Sequence, residues 1–148
     1  MSDLVIRPPT PSDEARWRVL WAGYIAFYRG SVTEEATAKL WRTLLEGEGP
    51  FHSFIAEKGG EVIGLVHYLY HDSTWSTQKI CYLQDLFVDP NARGSGAAKP
   101  LMEAVIAAAK KDGAFRVYWQ TQEFNAPARS LYDTIVPRSS FIVYRVNL

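Results

Sequence analysis

The sequence predicts a mixed α/β fold, a β-sheet covered by helices, and three observations predict it. Apolar residues recur at helical spacing in some stretches, they alternate with a period of two in others, and clusters of glycine, proline and asparagine separate the stretches. The resulting element order is β-αα-β-β-β-α-β-α-β. The 148 residues contain no internal repeat and no long linker, so we expect one domain over residues 1–148.

The first half of the chain predicts a strand, a helical hairpin and a β-hairpin. Side chains that accept a hydrogen bond begin each helix, and glycines that tolerate a left-handed backbone end it. The predicted elements are a strand over residues 4–6, a helix from the Thr10 cap to Gly30, a helix from a Ser31/Glu34 capping box to Gly47, and strands over 51–57 and 62–71 joined by Gly59-Gly60.

The second half predicts a buried strand, a glycine-bearing turn, a helix and three shorter elements. Because Pro100 stands in the first residues of that helix, the helix begins late or bends. The predicted elements are a strand over residues 80–88, apolar on both faces and interrupted by Gln84 and Asp85, a helix from Ala98 to an Asp112-Gly113 stop, a strand over 115–121, a helix over 126–135 and a last strand over 141–146.

Composition and charge exclude several classes of function. Lys+Arg and Asp+Glu both number 16, which disfavours nucleic-acid binding, and no apolar run is long enough to span a bilayer. The single cysteine, Cys81, excludes an internal disulfide and a multi-thiolate metal site; no leader is visible at the amino terminus, so we expect a cytoplasmic protein. Five Trp and eight Tyr exceed what a core needs and indicate a ligand pocket.

The segment from strand to glycine-bearing turn to helix is the most specific chemical signal. Glycines let the backbone approach a ligand closely, and the free N–H groups of a helix N-terminus favour an anion such as a pyrophosphate. The letters match neither the P-loop pattern G-x-x-x-x-G-K-[ST] nor the dinucleotide pattern G-x-G-x-x-G. They do match [QR]-x-x-G-x-[GA], through Arg93, Gly96 and Ala98.

With this motif the chain resembles the GNAT superfamily of acetyl-CoA-dependent N-acetyltransferases, over nearly its whole length. Asn125, Ala128 and Tyr132 are similar to the family's N-x-x-A-x-x-x-Y signature. The stretch from Tyr82 to Val88 is most similar to the polyamine (spermidine/spermine) acetyltransferase branch. One departure is Gln84, which stands where that branch has a glutamate and leaves both the polyamine preference and the identity of the base open.

The resemblance implies a fold, a cofactor and a set of site residues. The fold is a mixed, mostly antiparallel sheet of about seven strands with splayed central strands and about four flanking helices, and the cofactor is acetyl-CoA. The expected catalytic residues are Tyr132, as general acid, and Asp85, as the acceptor of the amine proton. The cofactor residues are Leu86, Phe87, Val88, Arg93, Gly94, Ser95, Gly96, Ala97, Ala98, Asn125 and Arg129, and the substrate residues are Tyr24, Tyr28, Gln84, His67 and Tyr68.

The predicted function is transfer of an acetyl group from acetyl-CoA to a primary amine of a small molecule, such as a polyamine or an amino acid, by direct attack. A protein or peptide acetyltransferase, acting on lysine or the N-terminus, and a non-catalytic acyl-CoA sensor remain alternatives. We expect no metal, because His67 and His71 lack a third ligand, and no nucleic-acid or membrane partner. The family resemblance implies a homodimer. Cys81 is expected to be a buried small residue and not a nucleophile.

Overall fold

Five strands form one sheet in the computed structural model, which describes residues 3–92 and 94–148. They are β1 (Leu4–Arg7), β2 (Phe51–Lys58), β3 (Glu61–Ser73), β4 (Ser76–Val88) and β5 (Arg116–Tyr118), and they lie side by side in chain order. The first four strands pair antiparallel, and β5 joins β4 in parallel. The mixed, mostly antiparallel sheet is confirmed, with five strands in the described residues instead of about seven.

Four helices cover the two faces of the sheet, as predicted. They are α1 (Glu14–Phe27), α2 (Glu34–Glu46), α3 (Ala98–Lys111) and α4 (Ala126–Tyr132). The hairpin of α1 and α2 packs on one face, where Trp17, Trp21 and Trp41 form an aromatic core with side chains of β2 and β3. The apolar stripe of α3 packs on the other face. Within the described residues, no helix combines the length and apolar character that a membrane span requires.

The contact between β4 and β5 is short, and this shapes the centre of the molecule. The two strands pair only from Ile80↔Arg116 to Tyr82↔Tyr118. The rings of Tyr82 and Tyr118 stack at 4.8 Å where the pairing ends. Beyond this point, the described residues give β4 no partner on its β5 side as far as Val88. The predicted splay of the central strands is therefore confirmed, and it leaves backbone N–H and C=O groups facing a gap.

Two predicted helix boundaries were wrong by a few residues. The cap of α2 is Thr33, whose hydroxyl accepts from the Ala36 N–H at 3.1 Å, and not Ser31. Starting at Glu34 places two glutamates in the first turn, where the helix dipole favours them. The helix α1 ends at Phe27, before Gly30, because Arg29 adopts the left-handed conformation itself, with φ 54°.

The predicted elements near the carboxyl end are shorter or absent. The strand over 115–121 is reduced to β5, and the helix over 126–135 ends at Tyr132. The predicted strand over 141–146 was wrong, because residues 141–148 pair with no strand in the described chain and their apolar side chains are exposed. Strand propensity is local, whereas strand formation requires a free edge within reach.

A buried carboxylate ties β1 to the start of α1. Asp13 is 5% exposed and accepts two hydrogen bonds from the Arg7 guanidinium, at 2.8 and 3.0 Å. Arg7 also donates to Glu57 of β2, at 2.8 Å. The Arg7 hydrogen bonds, helped by the backbone N–H of Thr10, hold the pKa of Asp13 below its usual range against the effect of burial. This network fixes the angle at which α1 leaves the sheet.

We expect Arg7→Met to lower the free energy of unfolding by about 3 kcal/mol at pH 7, because it leaves the Asp13 charge buried without its partner. The folded pKa of Asp13 lies below its unfolded value of about 3.9. Its contribution is therefore present above that value and is lost as the pH falls through the folded pKa. Urea denaturation at pH 7 and pH 3 measures both effects.

The matched control for Arg7→Met is Arg18→Met, which removes a more exposed pair with Glu14 and Glu34. Surface pairs contribute little, so this variant should unfold at nearly the wild-type urea concentration. Equal losses in the two variants, or a loss in Arg7→Met that does not shrink at pH 3, would contradict the role given to Asp13.

Candidate active site

A β-bulge on β4 determines which side chains reach the gap. His67 of β3 pairs with Asp85 and Tyr68 pairs with Leu83, so Gln84 is an extra residue without a register partner. A bulge breaks the period of two, and residues on its two sides change face. Leu83 packs in the α3 core, as do Leu86 and Val88, three and five residues later. Asp85 is thereby turned toward the face covered by α1.

Asp85 is held by a hydrogen bond with a buried histidine on the neighbouring strand. His67 is 3% exposed, and its Nδ1 lies 3.0 Å from Oδ2 of Asp85. The indole Nε1–H of Trp17, which is fully buried, donates to Nε2 of the same imidazole at 3.1 Å. The Asp85 side chain is 14% exposed, so one side of the carboxylate remains open to the gap.

Three tyrosines line the cleft around Asp85. Burial raises the pKa of the Tyr24 phenol, and Asp85 adds to the effect through its charge and its hydrogen bond with that hydroxyl. The pKa of Tyr28 is raised by burial and then by the Asp85 charge. The pKa of Tyr82 is raised by burial, then by Tyr118 and Asp85. All three hydroxyls therefore keep their protons at neutral pH and surround a single carboxylate.

Tyr132 closes the cleft from α4. Its ring packs edge-on against Trp119 with the centroids 5.7 Å apart. Burial raises its pKa, and the neighbouring Tyr28 raises it further. Because Tyr28 also interacts with Asp85, the predicted acid and the predicted base border one cleft. Tyr132 keeps its proton and can donate a hydrogen bond.

Several predicted substrate residues lie elsewhere. Tyr24 and Tyr28 interact with Asp85, but Gln84 is exposed on the bulge. Tyr68 faces the opposite side, in the α3 core between His52 and Phe54, so the structure does not bring it to Asp85. His67 lies beneath Asp85 with both ring nitrogens engaged, and it has no free atom for a substrate.

The sequence analysis missed two contributors to the cleft. Tyr82 lies between two core residues and was read only as part of a family motif, because the bulge that groups it with Asp85 leaves no mark in the letters. Trp17 belongs to no motif in the sequence. Its indole N–H was a signal, because a buried tryptophan usually finds an acceptor.

The glycine-bearing turn precedes α3 as predicted and fits an anionic ligand. Gly94 and Gly96 have φ angles of 88° and 76°, and a Cβ added at either would meet nothing within 4 Å. The hydroxyl of Ser95 between them is buried without a hydrogen-bond partner. A turn with open space above it and an unsatisfied hydroxyl can receive phosphate oxygens. Arg93, also predicted here, lies outside the described residues.

The start of α3 resolves the question posed by Pro100. The helix begins at Ala98, so Pro100 falls in the first turn, where its missing N–H costs no helical hydrogen bond. The late start is confirmed. Ala97, which precedes the helix, is 1% exposed and packs in the core, while the free N–H groups of the first turn remain as donors.

The strand β4 and helix α4 carry the remaining predicted cofactor residues. Leu86 and Val88 lie beyond the paired part of β4, beside the gap. The Phe87 ring is buried toward α1 against Tyr24, so it can contribute only its backbone. On α4, Oδ1 of Asn125 accepts from the Ala128 N–H at 3.4 Å, and Arg129 donates to the Glu123 carbonyl at 2.7 Å.

Between β5 and α4 lies a second unsatisfied hydroxyl. Thr121 Oγ1 is buried and has no hydrogen-bond partner. Thr121 Oγ1, Ser95 Oγ and Trp21 Nε1 are buried polar atoms that the described protein does not satisfy. Buried hydroxyls are usually hydrogen-bonded, so such groups mark where a polar ligand can bind.

Cys81 takes no part in this chemistry. It is fully buried in β4, and burial, followed by the charge of Asp112, raises the pKa of its thiol to about 12. The prediction of an inert buried thiol is confirmed. In residues 3–92 and 94–148, no three His, Cys, Asp or Glu side chains are grouped to hold a metal ion.

The model of the Acetyltransferase (GNAT) family matches residues 17–134. The chain belongs to the GNAT acetyltransferase family. This GNAT protein is therefore an acyltransferase enzyme, as predicted. It is 30% identical to the D-amino-acid N-acetyltransferase HPA3 of Saccharomyces cerevisiae, over 97% of this chain and 91% of the relative. It is 33% identical to a thialysine N-epsilon-acetyltransferase of Caenorhabditis elegans, over 67% of this chain and 61% of that protein.

Solved structures agree with the GNAT fold. The aminoglycoside acetyltransferase AAC(6')-Iy, solved with CoA and with a bisubstrate analog, superposes with a TM-score of 0.81 at 22% identity. An aminoglycoside acetyltransferase from a soil metagenome, in complex with sisomicin, gives the same TM-score at 19% identity and covers 99% of this chain. At these identities the likeness shows the fold alone. The resemblance to the polyamine branch stays a prediction.

Proposed function

We propose that this GNAT protein transfers an acetyl group from acetyl-CoA to the primary amine of a small molecule of the amino-acid class, by direct attack in a ternary complex. The observation that carries the proposal is a single carboxylate, Asp85, among tyrosine hydroxyls on the strand that leads into the glycine-bearing turn. The similarity to HPA3 over 97% of this chain supports the amino-acid class.

The chemistry requires a proton acceptor. An alkylammonium with a pKa of about 10.4 is only about one part in 2,500 free amine at pH 7, so its proton must leave before the nitrogen attacks. Asp85 is the carboxylate that faces the cleft, and it can take that proton directly or through water. The rings of Tyr24 and Tyr28 beside it suit an ammonium through cation–π contacts.

The charge of the cleft favours an acceptor with one positive charge near the reacting nitrogen. Burial raises the pKa values of Tyr24, Tyr28 and Tyr82, and Asp85 is the negative group that raises them further. Gln84 adjoins it as a neutral, exposed residue. A polyamine carries further ammonium groups, which this arrangement does not match with carboxylates. We therefore favour the amino-acid class over the polyamine class.

The residues around the gap fit acetyl-CoA. Backbone N–H groups from Gly94 to Ala98, with the Ser95 hydroxyl and Arg93, would hold the pyrophosphate. Backbone groups of Leu86 and Val88, with the Asn125 side chain, would pair with the pantetheine amides. When bound, acetyl-CoA supplies an electrophilic thioester carbonyl and a thiol as leaving group.

Tyr132 would assist departure of the sulfur. The pKa of an ordinary thiol is about 8.5 and that of a phenol about 10, so full proton transfer is uphill by roughly 2 kcal/mol. Burial raises the pKa of Tyr132 further and makes full transfer less favourable still. We therefore assign Tyr132 a hydrogen bond to the sulfur as the C–S bond breaks, while the proton lost by the amine goes to Asp85.

The test of the proposal is free-thiol release from acetyl-CoA with a panel of D- and L-amino acids, polyamines, aminoglycosides and basic peptides. We expect turnover with amino acids, and a rise in melting temperature with acetyl-CoA alone. Turnover confined to another amine would overturn the acceptor class. Stabilisation by acetyl-CoA without turnover would indicate a non-catalytic sensor. If acetyl-CoA gave neither stabilisation nor turnover, the cofactor assignment would be overturned as well.

We expect Tyr132→Phe to lower kcat roughly 100-fold, the scale of general acid catalysis, while the Kd for acetyl-CoA changes less than threefold. Steady-state kinetics and calorimetry measure the two quantities. The control is Tyr70→Phe, which removes a hydroxyl that donates to Asp112. Tyr70 packs against the α3 core, on the face of the sheet opposite to Asp85. A kcat in Tyr132→Phe equal to that of the control would remove Tyr132 from the mechanism.

We also propose that the protein is a homodimer in which residues 141–148 of each copy pair with the sheet edge of the other. Large apolar side chains in this segment are at least 64% exposed: Phe141, Ile142, Val143, Tyr144, Val146 and Leu148. Burying each such side chain contributes about 1.5–3 kcal/mol. In the described chain, β5 pairs only with β4 and leaves its other edge open. A second copy of the chain would offer its open β5 edge to this segment and would cover the exposed apolar side chains.

Light scattering with size-exclusion chromatography tests this arrangement. We expect a mass of twice 16.7 kDa for the wild type and of 16.7 kDa for the double variant Ile142→Lys/Tyr144→Lys. The double variant Ser139→Lys/Ser140→Lys adds the same charge just before the segment and should remain dimeric. A monomeric wild type at 100 µM, or a dimer that survives the first pair of substitutions, would contradict the proposal.

A further inference from the structure

The imidazole of His67 lies between a group that can only donate a hydrogen bond and a group that accepts one. The Trp17 indole N–H has no lone pair to offer, so Nε2 of His67, at 3.1 Å, must be the acceptor and carry no proton. The ring proton is then on Nδ1, which donates to Oδ2 of Asp85 at 3.0 Å. The contacts thus fix one of the two neutral tautomers.

The same contacts oppose a proton on Nε2 of His67. Such a proton would face the Trp17 N–H, and two donors at 3.1 Å in a buried site repel each other. Trp17 cannot easily turn away, because its ring packs between Trp21 and Trp41 at 6.1 and 4.9 Å. Nε2 is therefore kept as the acceptor, and Nδ1 is kept as the donor to Asp85.

Among the described residues, Asp85 is the titratable side chain that hydrogen-bonds with His67. On β2, the register partner of His67 is Ser53, and on α1 the rings of Trp17 and Trp21 cover it. On β4, Asp85 is its ionisable neighbour. The hydroxyls of Tyr24, Tyr28 and Tyr82 face Asp85, and their pKa values are raised by burial first.

We propose that Trp17 and His67 are positioning residues that hold Asp85 as the proton acceptor of the reaction: Trp17 fixes the tautomer, and His67 fixes one carboxylate oxygen. This inference rests on the proposed acetyl transfer. His67 does not accept the proton itself, because Trp17 occupies its unprotonated nitrogen. The Asp85 carboxylate, which also has a hydrogen bond with the Tyr24 hydroxyl, is the group that receives the proton of the amine.

The fold supports this arrangement at three points. The bulge at Gln84 makes Asp85 the register partner of His67. The β3 strand carries His67 between two paired strands, which restricts its backbone. The α1 helix, which covers this face of the sheet, carries Trp17. The hydrogen bonds from Trp17 to His67 and from His67 to Asp85 therefore join the helical hairpin to the sheet. A change in the packing of α1 would reach the Asp85 carboxylate through two hydrogen bonds.

The first experiment reads the tautomer without any substrate. The chain has three histidines, so two-bond ¹H–¹⁵N correlation spectra resolve them, and the signal lost in His67→Asn is that of His67. We expect the spectrum of His67 in the wild type to be that of the Nδ1–H tautomer. In Trp17→Phe, which keeps a ring but removes the N–H, Nε2 loses its hydrogen-bond donor, and its ¹⁵N chemical shift should move toward that of an imidazole nitrogen without a donor.

The second experiment reads catalysis. His67→Leu removes the donor to Asp85 and should lower kcat roughly 10- to 100-fold with little change in KM for acetyl-CoA. His67→Asn can still donate from a similar position and should recover part of the loss. Trp17→Phe should lower kcat less than His67→Leu does, because it removes the donor to Nε2 but leaves the hydrogen bond between His67 and Asp85. His71→Leu, on the same strand with its imidazole against Tyr118, is the control and should match the wild type.

The outcomes separate this inference from the proposed function. An Nε2–H tautomer of His67 in the wild type would overturn the inference whatever the activity. A His67→Leu variant that melts at the wild-type temperature and keeps the wild-type kcat would overturn it as well. Absence of turnover with every amine would instead overturn the proposed function, while the tautomer would still be measured.

Discussion

The bulge at Gln84 is the constraint on which the cleft depends. A regular strand would alternate faces from Leu83 onward, and Asp85 would then point into the α3 core, where a carboxylate has no partner. One extra residue moves Asp85 to the α1 side and places it opposite His67. The same irregularity lies beside the stretch where β4 loses contact with β5, so one local change both aims the carboxylate and borders the gap.

Aromatic side chains on the α1 side have two roles: some form the core, and others border the cleft. Trp17, Trp21 and Trp41 are buried and hold the helical hairpin to the sheet. The Tyr24 and Tyr28 rings continue the same stack outward until it reaches the cleft. Core and pocket are therefore one continuous row of rings. The surplus of aromatic residues in the composition is explained by this row, in which the inner rings stabilise the fold and the outer rings border the site.

Much of the fold could be predicted from the sequence, because the signals involved are local. The turn at Gly59-Gly60 joins β2 and β3 with both glycines at positive φ, as the letters require. The apolar spacing of α3 and its late start, with Pro100 in the first turn, could also be predicted. The last strand could not, because residues 141–146 have the composition of a strand but pair with no strand of the described chain. Pairing depends on what the segment can reach.

The candidate site divides in the same way. Motifs identified Tyr132, the glycine-bearing turn and Asn125, since their spacing along the chain is fixed. The assignments of Tyr68 and His67 to the substrate failed because strand parity does not say where a bulge lies. The link from Trp17 to Asp85 joins residues 68 positions apart through a third, and no spacing in the sequence records it.

The gap between β4 and β5 has a consequence for how such a protein changes over time. One wall of the cleft offers main-chain N–H and C=O groups, which stay the same whichever side chains the strand carries. The other wall is made of tyrosine rings and hydroxyls, which a single codon can replace. Substitutions in the second wall can therefore alter which amine is accepted without disturbing the first. In the proposed reaction, binding of the acetyl donor would be retained because it depends on main-chain groups, whereas the preferred amine acceptor would change with the tyrosine side chains.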